Sequence, residues 1–336
     1  MILSVIIPTL NEQSNIERLL AELAAQKGID AEIIVADGGS TDATRQIVKA
    51  STALLATTDA GRGRQMNAGA EAASGIYLLF LHADSSLCQP HQLADAISMM
   101  EHTSGESIAG HYRMVFDTDD SGLHRSLRYY EEKTCLNRPG TWNGDQGLMI
   151  ERKLFRLIGG FSERHAFLED QEFGRRFQSV GRFITFPDTI RTSARRFEQE
   201  GFKGRVILNT LIMGMFELRL DAFFESAPAI YQANGGGRLT LLPFFRLVRK
   251  SVFNQGALTG FARCYAIGRY ATQNLWQLSF WRGLKSGTQD RALKRHDQYV
   301  RPLLYNPVGY FLSCLIIVIW FHLTELVLLT DRTAPE

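Results

Sequence analysis

Cysteine is scarce in this chain. Its 336 residues hold four, Cys88, Cys135, Cys264 and Cys314, with no Cys-x-x-Cys pair. That excludes a disulfide framework and a cysteine zinc site, and it suits a reducing, cytosolic setting. Net charge is scarce too. The 37 Lys and Arg against 35 Asp and Glu leave +2, so nothing points to nucleic acid as a partner. The start lacks a leader pattern: "MILSVIIPTLNE" has no basic run, and Pro8 cuts its apolar stretch, so it is not read as a signal peptide. Two phosphate-loop signatures are missing as well. No Gly-Lys-Ser/Thr follows "GRGR", which excludes a Walker A loop, and Gly61-x-Gly63 lacks the third glycine of a dinucleotide fingerprint.

What is present is a globular composition, 45% hydrophobic and 21% charged, with no internal repeat. The first ~190 residues alternate strand-like and helix-like stretches, the mark of an α/β domain. "LSVIIP", "AEIIVAD" and "YLLFL" read as buried strands, with later ones at "IAGHYRMVF", "QGLMIE" and "RFITFP". Between them, Ile16, Leu19, Leu20 and Leu23 recur at helical spacing, and Asn11 or Ser14 is the expected cap. A second helix is expected after Ser40 or Thr41 as cap, and a third in "MNAGAEAASG" after a basic loop "GRGRQ".

The early strands stop in polar residues. Ligands of open α/β sheets bind outside the carboxyl ends of strands, so Thr9, Asn11, Asp37 and Asp84 are expected to converge on one crevice. Asp37 in "ADGGSTD" could accept from a ribose hydroxyl or a base N–H, or serve a simple turn. Arg62 and Arg64 suit an anionic ligand at a helix start, or form a solvated basic loop. In "FLHADSS", His82 and Asp84 stand two apart, so on an extended chain both face one object. Asp84 suits a hard cation carrying phosphates, and His82 is open between a ligand and a hydrogen-bonded histidine near the core. In "FLEDQEFGRRF", Glu169 and Asp170 begin a helix, where they serve either its dipole or base catalysis. Glu172 and Arg176 have the spacing of a surface ion pair. Arg195 and Arg196 are candidate phosphate contacts or a surface cluster.

After residue 200 the texture turns aromatic and basic. "PFFRLVRKSVF" has the composition of an interfacial amphipathic helix or of a packed helix with a basic edge. "GGG" at 235–237 reads as a break. Val308 to Leu329 is apolar and long enough to span a bilayer, with Tyr310 and Trp320 suited to its interfaces. His322, Thr324 and Glu325 weaken a span. The segment is read as an anchor or re-entrant helix, against a buried or dimer-forming one.

Taken in order, "SVIIPTLNE", "IIVADGGSTD", "GRGRQMNAGA", "FLHADS" and "FLEDQEFGRRF" resemble the family 2 glycosyltransferases of the GT-A fold, over about residues 1–200. "GDQGLMI" and "TSARRFEQEGF" are similar to its radical-SAM/selenodomain-associated transferase 2 branch. The tail resembles, more loosely, enzymes that build lipopolysaccharide cores. The resemblance implies a nucleotide-diphospho-sugar transferase: a mixed, mostly parallel sheet flanked by helices, with a helical, membrane-associated C-terminal extension. It implies that Thr9, Glu12 and Asp37 hold the base and ribose, that Arg64 lies near the donor phosphates, and that Asp84 carries a divalent metal, Mg or Mn. It implies Asp170, beside Glu169, as catalytic base, and Arg195 and Arg196 near the diphosphate and acceptor. His82 departs from the family by replacing the first Asp of Asp-x-Asp.

The resulting expectation is an inverting transferase at the cytoplasmic face of the inner membrane. It takes a nucleotide-diphosphate sugar, UDP-linked rather than GDP-linked, and a lipid-linked or membrane-presented acceptor. Its domains are 1–204, 205–300 and 308–329, and a homo-oligomer is left open. The rival readings are a sugar nucleotidyltransferase, against which the absence of a Gly-rich loop with Lys near the start counts, and a membrane-tethered sugar-nucleotide binding module.

Overall fold

The computed structural model describes residues 2–103, 107–164, 167–235 and 237–330. Gly236, the middle of the expected glycine break, lies outside them. The chain divides into two compact units, Met1–Ala194 and Arg195–Glu336.

The first unit holds eight described strands: β1 (Leu3–Thr9), β2 (Ala31–Asp37), β3 (Leu54–Thr57), β4 (Tyr77–Phe80), β5 (Ser86–Leu87), β6 (Ser107–Asp117), β7 (Leu148–Glu151) and β8 (Gly181–Ser193). Its helices are α1 (Ile16–Ala24), α2 (Thr44–Lys49), α3 (Arg62–Ala72), α4 (Gln92–His102), α5 (Ser121–Thr134), α6 (Arg152–Ile158) and α7 (Glu169–Phe177). The strands form one sheet in the order β3-β2-β1-β4-β7-β6-β8-β5. The half from β3 to β4 is parallel, whereas β7 runs antiparallel to both β4 and β6. Every residue of β1 is buried, as a parallel central strand covered on both faces requires. The β6–β8 pair is parallel, with a register irregularity between His111 and Arg113.

The expected α1 stripe is present, with Ile16, Leu19, Leu20 and Leu23 all buried. The expected caps are not. Asn11 has φ 58°, and its Oδ1 accepts from the Thr41 N–H at 2.9 Å, so it ties two loops together instead of capping α1. Ser40 bonds back to Asp37, and Asp42 takes the Thr44 N–H at the head of α2. α3 begins at Arg62, inside the stretch read as a basic loop, because Gly61 at φ 143° turns the chain directly into the helix. The four-residue β3 and two-residue β5 were not expected.

An aromatic core underlies the middle of this sheet. Phe80 of β4 packs on Phe155 and Phe161 at ring distances of 5.0 and 4.9 Å, Phe161 reaches Phe173 of α7 at 5.0 Å, and Trp142 stacks on Phe183 at 5.2 Å. This cluster fixes the start of α7 beneath the end of β4.

The second unit is helical: α8 (Arg195–Glu200), α9 (Phe202–Glu217), α10 (Asp221–Ala233), α11 (Leu242–Phe253), α12 (Ala257–Gln273), α13 (Trp276–Lys285), α14 (Gln289–Arg295), α15 (Arg301–Leu304) and α16 (Pro307–Thr330), with a π-helical segment at His296–Val300. Among the described residues, α16 alone is long and apolar enough to cross a membrane. All four cysteines are free.

Candidate active site

The carboxyl ends of β1 and β2 lie side by side, with Thr9 paired to Asp37 and Asp37 to Thr57. Asp37 is fully buried. Its carboxylate accepts from the N–H groups of Gly39 and Ser40 at 3.2 and 3.1 Å and from the Thr9 hydroxyl at 3.3 Å, with Arg45 3.5 Å away. Asp37 therefore shapes the turn after β2. Glu12 is engaged as well: its N–H donates to Thr44 at 2.8 Å and its carboxylate accepts from Asn15 at 2.8 Å. Gln65, which sequence reasoning missed, pins this region from below. It is buried on α3 and donates to the carbonyls of Thr9 and Ala36 at 2.6 and 3.0 Å.

β4 stops at Phe80, short of β1's end. The chain then enters a turn in which the Ser85 N–H donates to the His82 carbonyl at 3.1 Å. The expectation that His82 and Asp84 face one object on an extended chain is thus corrected, because its premise of strand geometry ends two residues before His82. His82 is engaged elsewhere. Its Nδ1 lies 3.0 Å from Asp145 Oδ1, in the 3-10 turn Gly144–Gln146. Asp84 is half-buried, and among the described residues its carboxylate has no hydrogen-bond or ion-pair partner. The adjacent Ser85 hydroxyl is buried and also without a partner.

The turn Gly144–Gln146 joins the end of β4 to the start of α7. The Gly144 N–H donates to Asp170 Oδ2 at 2.9 Å, while a Cβ on Gly144 would stand 3.0 Å from His82 Nε2 and 3.7 Å from Asp170 Oδ2. Glycine is thus what lets the imidazole and the carboxylate approach the same backbone. Asn143 and Gln146 close a reciprocal capping box around this turn, and Gln146 is held in turn by buried His111, 2.8 Å from its Nε2. His82, Gly144, Glu169 and Asp170 line a recess of about 10 Å³, the space of roughly one water.

Glu169 and Asp170 are both buried. Leu168, which precedes them, sits at φ 68°, a conformation that costs a bulky side chain energy and that aims the first turn of α7. Glu169 pairs with Arg62, the first residue of α3. Gly63 lets α3 come this close, since a Cβ there would stand 3.3 Å from the Glu169 Cβ and 2.5 Å from the Ser162 carbonyl oxygen of the preceding loop. Arg64 points elsewhere, to Asp59 and Glu163 at 3.2 and 3.5 Å. Burial and the neighbouring Glu169 charge push the Asp170 carboxyl above the usual carboxylate range, against the opposing pull of Arg62 and two backbone N–H groups. Burial disfavours the Arg62 cation, but Glu169 and Asp170 more than offset it and hold that guanidinium charged. Glu172 and Arg176 form the expected ion pair at 2.6 Å. Arg195 and Arg196 begin α8, in the second unit.

The described residues include no group of three or more His, Cys, Asp or Glu side chains arranged for a metal ion. A magnesium-like cation bound with phosphates needs only one or two carboxylates from the protein and keeps its waters. Asp84, unpartnered beside the orphaned Ser85 hydroxyl, fits a cation arriving on a diphosphate.

Residues 4–166 match the family model for glycosyl transferase family 2. A PGL/p-HBAD biosynthesis glycosyltransferase of Mycobacterium bovis is 30% identical over 199 residues, covering 54% of this chain and 72% of that protein. Glycosyltransferase AglE of Haloferax volcanii is 27% identical over 203 residues, covering 56% of this chain and 64% of its own length. S. aureus TarS 1–349, solved in complex with UDP, aligns over 82% of this chain and 72% of its own, with TM-score 0.50 and 18% identity. That likeness concerns the fold, a mixed sheet flanked by helices.

Proposed function

The chain belongs to glycosyl transferase family 2, and from that membership we propose an inverting transfer of a sugar from a UDP-linked donor to a membrane-presented acceptor. Membership makes it a glycosyltransferase and sets the nucleotidyltransferase reading aside. The observation that carries the finer proposal is Asp170: a buried carboxylate with raised proton affinity, held by the Gly144 N–H in a recess at the carboxyl end of the sheet. A base works best when its pKa lies toward the operating pH, and burial beside Glu169 moves Asp170 that way.

In the proposed reaction Asp170 takes the proton of an acceptor hydroxyl. The acceptor oxygen attacks the anomeric carbon in line, the bond from that carbon to the donor diphosphate breaks, and the configuration inverts through an oxocarbenium-like transition state. Glu169, kept in place by Arg62, orients Asp170. Asp84 would hold a divalent cation, Mg or Mn, which supplies charge neutralisation on the departing diphosphate. Thr9, Glu12 and Asp37 order the loops that receive base and ribose, and Arg64 adjoins Gln65, which is bonded to the Thr9 and Ala36 carbonyls. A uridine donor is favoured because TarS, of the same fold, is solved with UDP. Arg195 and Arg196 enter on sequence grounds alone, as does the radical-SAM/selenodomain-associated branch. The tail, 205–300 with 308–329, is proposed as the membrane-side extension at the cytoplasmic face of the inner membrane.

The test is a panel of nucleotide sugars with Mg²⁺ or Mn²⁺ and native membranes, read as UDP release. Asp84→Ala is expected to abolish release. Unchanged release would remove the cation assignment, and release from GDP-sugars alone would remove the uridine assignment.

A further inference from the structure

The second unit carries a surface that sugar transfer does not use. α16 is about 36 Å long at 1.5 Å per residue, and of its 24 residues only Gly309 and Glu325 are buried. On that side it packs against two helices of its own unit. Toward its start, the Thr272 hydroxyl of α12 donates to Ser313 at 2.8 Å, and a Cβ on Gly268 would stand 2.4 Å from the Tyr310 carbonyl oxygen, so the two backbones nearly touch. Toward its end, Phe245 of α11 lies 4.7 Å from Phe321, ring to ring, and Arg249 pairs with Glu325 at 3.2 Å. The opposite side has no protein cover within the unit. Val308, Phe311, Leu315, Ile319, Leu323 and Leu326 are 44–67% exposed. With Leu312, Ile316 and Val327, which are 50–67% exposed, they make one broad apolar stripe along the uncovered side of the helix.

A helix like this can meet lipid in two ways, across it or along it. Crossing would take α11 and α12 into the hydrocarbon, because they back it from end to end. Those helices bring Arg246, Arg249, Lys250 and Arg269, all exposed, and charges at depth are costly. They also bring the polar turn Asn254–Gly256, where Arg263 is bonded to the carbonyls of Ser251 and Val252 and to Asn254. Lying along the surface keeps these groups at headgroup level and puts only the stripe among acyl chains. Charge supports this arrangement. Residues 195–336 carry 18 Lys and Arg against 10 Asp and Glu, whereas residues 1–194 carry 19 against 25. The cations are concentrated in the unit that bears the stripe, which complements an anionic lipid surface.

We infer that α16 lies in the plane of an anionic bilayer, its stripe in the acyl boundary and the cations of α11 and α12 on the headgroups. This differs from the anchor or re-entrant helix expected from the sequence and stands apart from the sugar-transfer reading, since its test needs no donor.

The test uses the full chain with sealed vesicles of phosphatidylcholine, with or without phosphatidylglycerol. Sedimentation should show at least tenfold stronger binding with phosphatidylglycerol at low salt, a contrast that shrinks as salt is raised. Ile319→Glu, at an exposed stripe position, should weaken binding at least tenfold, and Arg246→Glu with Lys250→Glu should remove the preference for phosphatidylglycerol. Both ends of α16 should stay outside the vesicle: Asn306→Cys and Thr330→Cys, each compared with the parent chain, should react with a membrane-impermeant maleimide. Protection of one end means a span and overturns the inference. Absence of vesicle binding, with Ile319→Glu converting a dimer to a monomer by light scattering, assigns the stripe to a second copy and also overturns it.

Discussion

Arg62→Gln probes the charges at the head of α7. The Glu169 side chain is 1% exposed; Arg62 holds one of its oxygens, and the other is buried without a partner. Removing the guanidinium therefore strands a buried carboxylate. Breaking a buried pair from one side costs about 3–5 kcal/mol. Arg62 keeps 30% of its side chain exposed, so water can follow it, and the low end, about 3 kcal/mol, is expected. Adding Glu169→Gln removes the stranded charge, and the double variant should recover about 2 kcal/mol of that loss. Hydrogen exchange at the α7 amides reads the local opening energy without assuming that both units unfold together. The pH dependence of kcat/KM supplies a second readout. Burial and Glu169 raise the Asp170 pKa while Arg62 lowers it. Loss of Arg62 should move the acid limb of the profile to higher pH, and the added Glu169→Gln should move it back. Equal losses in the single and double variants, with an unmoved acid limb, would refute both the ion pair and its influence on Asp170.

Asp170→Asn should lower kcat by about 10²–10⁴-fold with little change in donor KM; near-full turnover would remove the base role and leave a phosphate acceptor that needs none. Because the folded pKa of Asp170 stands above the ordinary carboxyl value of 3.8, the wild-type margin over this variant is fully present below that pH. It should shrink as pH rises through the folded value, measured by denaturant titration. Gly144→Ala places a Cβ 3.0 Å from His82 Nε2, so it should displace the imidazole from Asp145 and cut kcat about tenfold, while thermal stability falls by no more than about 1–3 kcal/mol. His111 is buried and holds the turn through Gln146, and burial lowers its pKa from 6.5. Its contribution to stability should therefore be lost as pH falls below 6.5 toward the folded value, and His111→Gln should flatten that slope in melting curves.

The strands that build the crevice were legible because buried parallel strands read as unbroken apolar runs, and "LSVIIP", "AEIIVAD" and "YLLFL" have that form. β3 was not, because its four residues sit at the sheet edge with Leu54 exposed, leaving no periodic signal. The start of α3 was hidden for a related reason. Its first turn is Arg-Gly-Arg-Gln, and only tertiary contacts (Gln65 to two strand carbonyls, Gly63 against Ser162) make it helical. At the candidate site, Glu169 and Asp170 were readable as a carboxylate pair at a helix start. The partners that give them character were not. Arg62 lies 107 residues from Glu169 and Asp145 lies 63 from His82, and neither pairing leaves a local trace. The extended-chain rule failed at His82 because a strand's end cannot be placed to within two residues from composition.

The polar groups of the first unit are treated in two different ways, and the difference bears on where a donor would gain its binding energy. At the ends of β1 and β2, Asp37 is saturated by Thr9, Gly39 and Ser40. A ligand there must exchange existing bonds, so little net gain is available and the region acts as a rigid mould. Around the end of β4 and the start of α7, the Asp84 carboxylate and Ser85 hydroxyl have no partner among the described residues, Glu169 keeps one oxygen unpaired, and Leu168 holds a costly backbone conformation. The backbone defect at Leu168 could be relieved by one substitution, Gly at 168, without touching the core. Such defects persist where function requires them. On the proposed function, a diphosphate with its cation would satisfy Asp84 and Ser85 as charge builds on the leaving group. The unpaired groups would then favour the transition state more than the bound donor, which is the condition for raising kcat and not merely lowering KM.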